Sequence, residues 1–202
     1  MENASKALIM AGGKGTRFWP KSTEEMPKQF LKLIDDKTMI ELTYERLLNI
    51  IPNDRIFVVT GEKYKNIVEK QLNKLPKRNI IIEPEGRNTT PCILLSCLYI
   101  KQIYNDAQLV VLPSDHAIKD TNEFCRIIQK ADKYVEKENK NAIVTIGITP
   151  DRPETGYGYI KYNKQNSDVI KVERFVEKPN LETAKKYLDE RKLSMECRNV
   201  YF

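Results

Sequence analysis

The sequence predicts an α/β fold: a Rossmann-like, mostly parallel sheet flanked by helices. Short apolar runs alternate along the chain with longer stretches whose apolar residues recur at helical spacing. The short runs are apolar throughout rather than at every second residue, as strands covered on both faces are. Strand-helix alternation of this kind gives parallel strands with helices on both sides of the sheet. Ligands in such sheets bind beyond the carboxyl ends of the strands. The loops leaving the strands are therefore where chemistry is expected.

Ala7-Leu8-Ile9-Met10 reads as the first strand and runs into Ala11-Gly12-Gly13-Lys14-Gly15-Thr16-Arg17. A helix follows from Thr38, which makes a capping box with Glu41 ahead of Ile40, Tyr44, Leu47, Leu48 and Ile51. Pro52-Asn53-Asp54 ends it, and Ile56 to Thr60 is the second strand, turned at Gly61. Tyr64, Ile67, Val68, Leu72 and Leu75 mark a helix stopped by Pro76. Asn79 to Glu83 is the third strand, and after the Pro84–Asn88 loop a helix is expected to bury Ile93, Leu94, Cys97 and Leu98. Leu109 to Leu112 is the fourth strand, ending at Pro113-Ser114-Asp115-His116. Asp120 and Glu123 suggest a second capping box before the stripe Phe124, Ile127, Ile128, Ala131 and Val135. Ala142 to Ile146 is the fifth strand. Longer strands over Gly158–Tyr162 and Val169–Val176 precede a short helix capped by Asn180.

At 202 residues, 41% hydrophobic and 31% charged, the chain is long enough for one good core and is expected to form a single domain over 1–202. Mean hydropathy is −0.53, and no apolar run approaches membrane-helix length. The first residues lack a signal-peptide pattern, so a cytoplasmic protein is expected. Cys92, Cys97, Cys125 and Cys197 show no C-x-x-C spacing, and His116 is the one histidine. These exclude a disulfide framework and a structural zinc site as readings. The net charge of +6 reads chiefly as a solvated lysine-rich surface. No basic stripe is interleaved with aromatics, so neither nucleic acid nor membrane is an expected partner.

The glycine-rich turn carries the first chemical signal. Glycines tolerate positive φ and let backbone N–H groups approach an anion, while Lys14 and Arg17 add cationic reach and Lys28 follows. Gly15 stands where a Walker A motif needs Ser or Thr after the lysine, and Phe18 stands at the third glycine of a dinucleotide fingerprint. Phosphate binding remains, against the alternative of a bare turn. Asp115, just past a buried strand, suits either a magnesium ion or a simple cap. Asn88 or Thr89 reads as a helix cap, and helix N-termini also favour anions.

Taken together, AGGKGTRFWP and PKQF resemble the signature of the sugar-phosphate nucleotidyltransferases, in particular the mannose-1-phosphate guanylyltransferase branch. Further along, Glu83-Pro84-Glu85-Gly86-Arg87-Asn88-Thr89-Thr90-Pro91 resembles the family's E-P-x-x-R-N-T-A-P, with Thr90 in place of alanine. Leu112 to His116 is similar to its metal-site segment, Pro153 to Ile160 to its sugar loop, and Phe175-Val176-Glu177-Lys178-Pro179 to its F-x-E-K-P. The resemblance implies a nucleotide-diphospho-sugar transferase type of fold acting on GTP and mannose 1-phosphate with Mg2+. It implies that Ala11, Gly12, Gly13, Lys14, Gly15, Thr16, Arg17, Arg87 and Asn88 bind the nucleotide. Glu154, Gly156 and Lys178 would bind the sugar phosphate. In catalysis it gives Arg17 to the leaving phosphates, Lys28 to the α-phosphate and Asp115 to the metal.

The similarity runs from Lys6 to Pro179 and then stops. Where the family continues with W-N-S-G and a second acidic metal ligand, Cys197-Arg198-Asn199-Val200-Tyr201-Phe202 stand. The expectation is a domain lacking its C-terminal part, with no residue assignable as the second carboxylate. A second reading follows, a nucleotide-binding or partner subunit without catalysis. The apolar tail suggests a homo-oligomer.

Overall fold

The structure, a computed structural model, describes residues 5–13, 18–138, 142–163, 169–190 and 193–201. It divides into two compact units, Met1–Ile143 with Tyr201–Phe202, and Val144–Val200.

In the first unit, β1 (Lys6–Met10), β2 (Ile56–Gly61), β3 (Ile80–Glu83) and β4 (Leu109–Pro113) form a parallel array in the order β3-β2-β1-β4. Leu8 pairs with Phe57 and with Val111, and Val59 pairs with Ile81. Between them run α1 (Met39–Leu48), α2 (Lys65–Gln71), α3 (Thr89–Ile103) and, after β4, α4 (Thr121–Lys137). Side chains of a strand alternate between faces. Leu8, Phe57, Val59, Ile81, Leu109 and Val111 accordingly share one buried cluster with Cys92 and Ile100 of α3. Ala7, Ile9, Val58, Val110 and Leu112, also buried, belong to the opposite face by the same alternation. Continuous apolar strands are thus explained by cover on both sides.

Local signals account for the ends of the helices. Thr38 and Glu41 form the capping box: Glu41 N–H donates to Thr38 Oγ1, and Thr38 N–H donates to Glu41 Oε2 at 2.7 Å. Asp120 accepts from Glu123 N–H at 2.9 Å, yet Glu123 does not complete a box, because Arg126 binds its carboxylate at 2.7 Å. α2 is shorter than its stripe; Leu72 ends it and Leu75 is buried in the following turn.

One face was misassigned by the sequence. α3 buries Cys92, Ser96 and Ile100 and packs Ile93 and Cys97 partly buried against the same cluster, as expected for those two, but it leaves Leu94 and Leu98 59% and 56% exposed. Nearly every position of this helix is apolar, so periodicity alone does not choose a face. Ser96 is tolerated inside because its hydroxyl donates to Cys92 C=O at 2.8 Å.

The second unit holds β5 (Val144–Ile148), β6 (Tyr159–Tyr162), β7 (Val172–Val176), α5 (Leu181–Glu190) and all but the last residue of β8 (Leu193–Tyr201). β6 pairs antiparallel with β7 and with β8, and β5 pairs with β8. β5 lies two residues beyond the expected span, and β7 is shorter than the expected one. β8 was not expected at all; its first residues face β6, Leu193 opposite Lys161. Asn180 caps α5, accepting from Thr183 N–H at 2.9 Å. Tyr159, Ile160, Ala184 and Leu193 are buried in this unit.

Candidate functional site

Parallel pairing brings the carboxyl ends of β1 to β4 to one rim. Beyond β1, the chain stays in line for one residue: Ala11 N–H donates to Val59 C=O at 2.8 Å. Ala11 C=O accepts from Thr60 Oγ1 at 3.0 Å and from Gln29 Nε2 at 3.2 Å. The same Gln29 nitrogen donates to Gly13 C=O at 2.9 Å. Gln29 lies on a short 3-10 turn, Lys28–Phe30, and is buried. A Cβ on Gly12 would come within 3.1 Å of Glu83 Oε2, so any larger residue there needs that carboxylate to give by a few tenths of an ångström. A Cβ on Gly13 would meet open space. Lys14, Gly15, Thr16 and Arg17 lie outside the described residues.

The same 3-10 turn directs Lys28 the other way. Its ammonium sits 2.7 Å from Asp115 Oδ2, with both side chains about three-quarters shielded, and 5.3 Å from the Phe18 ring centre. Asp115 is held in reach because Ser114 N–H donates to Met10 C=O at 3.1 Å, continuing the β1–β4 pairing past Pro113. The Gly-rich turn, Lys28 and Asp115, three separate segments, are thereby brought together. Among the described residues no cluster of three His, Cys, Asp or Glu side chains could hold a metal by itself. Magnesium needs only one or two carboxylates when phosphates and water complete its shell. A carboxylate that already faces a cation at 2.7 Å is a hard oxygen donor of that kind. Asp115 therefore fits such an ion.

At the neighbouring rim, Glu83 ends β3 in register with Gly61 and is buried. Arg87 is turned to Glu85, Nη2 to Oε2 2.7 Å, and both are largely exposed. Asn88 occupies the N-cap position of α3 at φ 69° without making a side-chain cap bond. Asparagine tolerates this left-handed backbone better than most residues. Of the expected caps, Asn88 or Thr89, Asn88 holds the N-cap position without the side-chain bond. In the first turn of α3 the Cys92 thiol is pushed up to about 11 by burial and, secondarily, by the nearby Glu83 carboxylate.

Within the second unit, Glu154 pairs with Arg152, Oε1 to Nε 2.5 Å. Its backbone is pinned on both sides by the buried Tyr159 hydroxyl, which accepts from Glu154 N–H at 3.1 Å and donates to Glu154 C=O at 3.0 Å. Burial pushes that phenol up. A Cβ on Gly156 would meet open space. Lys178 is exposed and bonds its neighbour Glu177, Nζ to Oε1 2.7 Å, which holds the Glu177 carboxyl below its ordinary range.

Sequence reasoning passed over Gln29, Thr60, Glu83 as an individual side chain, and Tyr159. Gln29 lay inside the PKQF signature, so a signal for it existed, but nothing local says that its amide reaches back to Ala11 and Gly13.

The comparisons agree with this architecture. A mannose-1-phosphate guanylyltransferase of Salmonella montevideo is 46% identical over 191 residues, covering 90% of this chain and 39% of that protein. One from Escherichia coli is 43% identical over 191 residues, covering 90% and 40%. This chain thus spans about two-fifths of the length of those curated relatives. A crystal structure from Thermus thermophilus, described as a mannose-1-phosphate geranyltransferase, superposes with a TM-score of 0.87 at 31% identity, covering 98% of this chain and 57% of that one. The nucleotidyl transferase family pattern matches residues 6–192, and the chain belongs to that family.

Proposed function

We propose that the chain supports guanylyl transfer from GTP to mannose 1-phosphate, giving GDP-mannose and pyrophosphate. The observation that carries this reading is the meeting of the Gly-rich turn with Lys28 and Asp115 at one strand-end rim, tied by the 2.7 Å ion pair. A phosphate oxygen of mannose 1-phosphate attacks the α-phosphorus of GTP in line. The P–O bond to the β-phosphate breaks, and pyrophosphate leaves. A phosphate monoester, with a second pKa of ~6, is already anionic at neutral pH. No protein nucleophile is needed, and catalysis rests on positioning and charge neutralisation.

Ala11, Gly12, Gly13, Lys14, Gly15 and Thr16 would cradle the triphosphate, with Arg17 on the leaving phosphates. Lys28 would turn to the α-phosphate, while Arg87 and Asn88 approach the nucleoside. Glu154 and Gly156 would take the sugar and Lys178 its phosphate. Asp115 would hold Mg2+, whose contribution when bound is to neutralise phosphate charge. The reading implies a cytoplasmic enzyme.

The test is pyrophosphate release by the 202-residue chain with Mg2+, over a panel of nucleoside triphosphates and sugar 1-phosphates. Release that is greatest for GTP with mannose 1-phosphate supports the reading. Release with another pair instead, or none alongside tight GTP binding, overturns it.

A further inference from the structure

We propose that Gln29 is a positioning residue for the start of the Gly-rich turn: its single amide nitrogen fixes the orientation of the Ala11-Gly12-Gly13 peptides before any nucleotide arrives. The proposal rests on the reading of the Gly-rich turn as the triphosphate cradle.

A primary amide nitrogen carries two hydrogens. In Gln29 these go to two carbonyls of the same turn, Ala11 at 3.2 Å and Gly13 at 2.9 Å. The residue is 3% exposed, so water has little access to its two donors. Thr60 adds a second donor to Ala11 C=O at 3.0 Å. A trans peptide is planar, with its N–H opposed to its C=O. Drawing Ala11 C=O towards Gln29 and Thr60 therefore turns Gly12 N–H away from them. Gly13, where a Cβ would meet open space, stands on the accessible part of the turn.

Glycines would otherwise sample both signs of φ. An anion cradle made of them has to be oriented by something else, and ordering it at the moment of binding weakens affinity. Gln29 does that ordering in advance. Its neighbour makes the arrangement more telling. Lys28 and Gln29 are consecutive on one 3-10 turn, the first directed to Asp115 and the second to the loop. One short turn thus sets both the cationic side and the backbone side of the rim. Displacing the amide loosens the cradle without removing any charge from it.

Equilibrium binding of GTP and of inorganic tripolyphosphate to the full chain tests this, in wild type and in Gln29→Met, which keeps length and loses both donors. The expected result is about a tenfold weaker affinity for both probes, the equivalent of 1.4 kcal/mol, with mannose 1-phosphate affinity unchanged. A merely structural Gln29 would lower the melting temperature and leave the three affinities in their wild-type ratio; that outcome overturns the proposal. Gln29→Glu is the second variant, usable if the methionine form does not fold. Its carboxylate repels the two carbonyls when ionised, so its GTP affinity relative to wild type should fall as pH rises from 5 to 8. A pH-independent ratio overturns the proposal as well. Should wild type bind neither GTP nor tripolyphosphate, the nucleotide reading fails and this proposal with it. Wild-type binding with no change in either variant removes Gln29 alone.

Discussion

Replacing Lys28 by methionine should have opposite effects on metal binding and on turnover. The Lys28 ammonium lies 2.7 Å from the Asp115 carboxylate, where a divalent ion would need to coordinate. At an effective dielectric of about 20, unit charges this close attract by roughly 6 kcal/mol before desolvation. Withdrawal from water offsets most of that. Fully exposed pairs retain only about 0.2–1 kcal/mol, and for this more shielded pair a net of about 1–2 kcal/mol follows. An ion entering the site displaces that interaction, so removing the ammonium should tighten divalent binding by about 5–30-fold. Mn2+ suits the same oxygen donors as Mg2+ and can be titrated by its free-ion resonance without nucleotide. Asp115→Asn is the paired control and should abolish the gain. Transfer to mannose 1-phosphate should meanwhile fall by about 10²-fold or more in Lys28→Met, as for loss of a charge-stabilising group. Unchanged Mn2+ affinity in Lys28→Met would refute the competition, and unchanged affinity in Asp115→Asn would refute Asp115 as the ligand.

Three further outcomes are expected. Ile100→Ala, in the cluster under α3, should cost about 2–5 kcal/mol in denaturant unfolding, whereas Leu94→Lys with Leu98→Lys should stay within about 0.5 kcal/mol each. Tyr159→Phe, which removes a hydroxyl bonded to both sides of Glu154, should cost about 1–2 kcal/mol and weaken mannose 1-phosphate binding if Glu154 contacts the sugar. Asp132, bonded by the Ser5 hydroxyl, has its carboxyl raised above 3.8 by burial, with Glu136 adding to the rise. A raised acid contributes its stability fully below the unfolded value and loses it as pH rises through the folded one. Asp132→Asn should therefore raise the melting temperature at pH 7 and lose that advantage near pH 4, a pattern scanning calorimetry across pH can check.

The sheet was legible because β1, β2 and β4 are apolar at nearly every position and are separated by helical stripes, which double cover requires. The site loops were legible as segments, through glycine spacing and through Asp115 at a strand end. Orientation was not. In α3, Ile93, Leu94, Leu95, Cys97 and Leu98 offer apolar surface all round, so the buried face is set by tertiary packing against the sheet rather than by the helix's own pattern. At Asp120 the pattern of a capping box was present, but Arg126, three residues on from Glu123, takes the carboxylate that would have closed it. β8 was missed although Leu193, Met195 and Cys197 alternate with Ser194, Glu196 and Arg198, the two-residue period of a half-covered strand. Gln29 acts on residues 16 and 18 positions earlier, a tertiary relation with no local trace.

The buried Cys92 thiol of the first unit offers a clock. Cys92 is pushed up to about 11, and burial raises Cys97 and Cys125 as well. At neutral pH almost none of the Cys92 population is thiolate, the form that reacts with electrophiles. Slow alkylation at Cys92 then measures how often the first turn of α3 lifts away from Glu83 and the sheet. Because that turn begins at Asn88, the rate reads the breathing of the rim beside the glycine turn, and a molecule seated there should slow it.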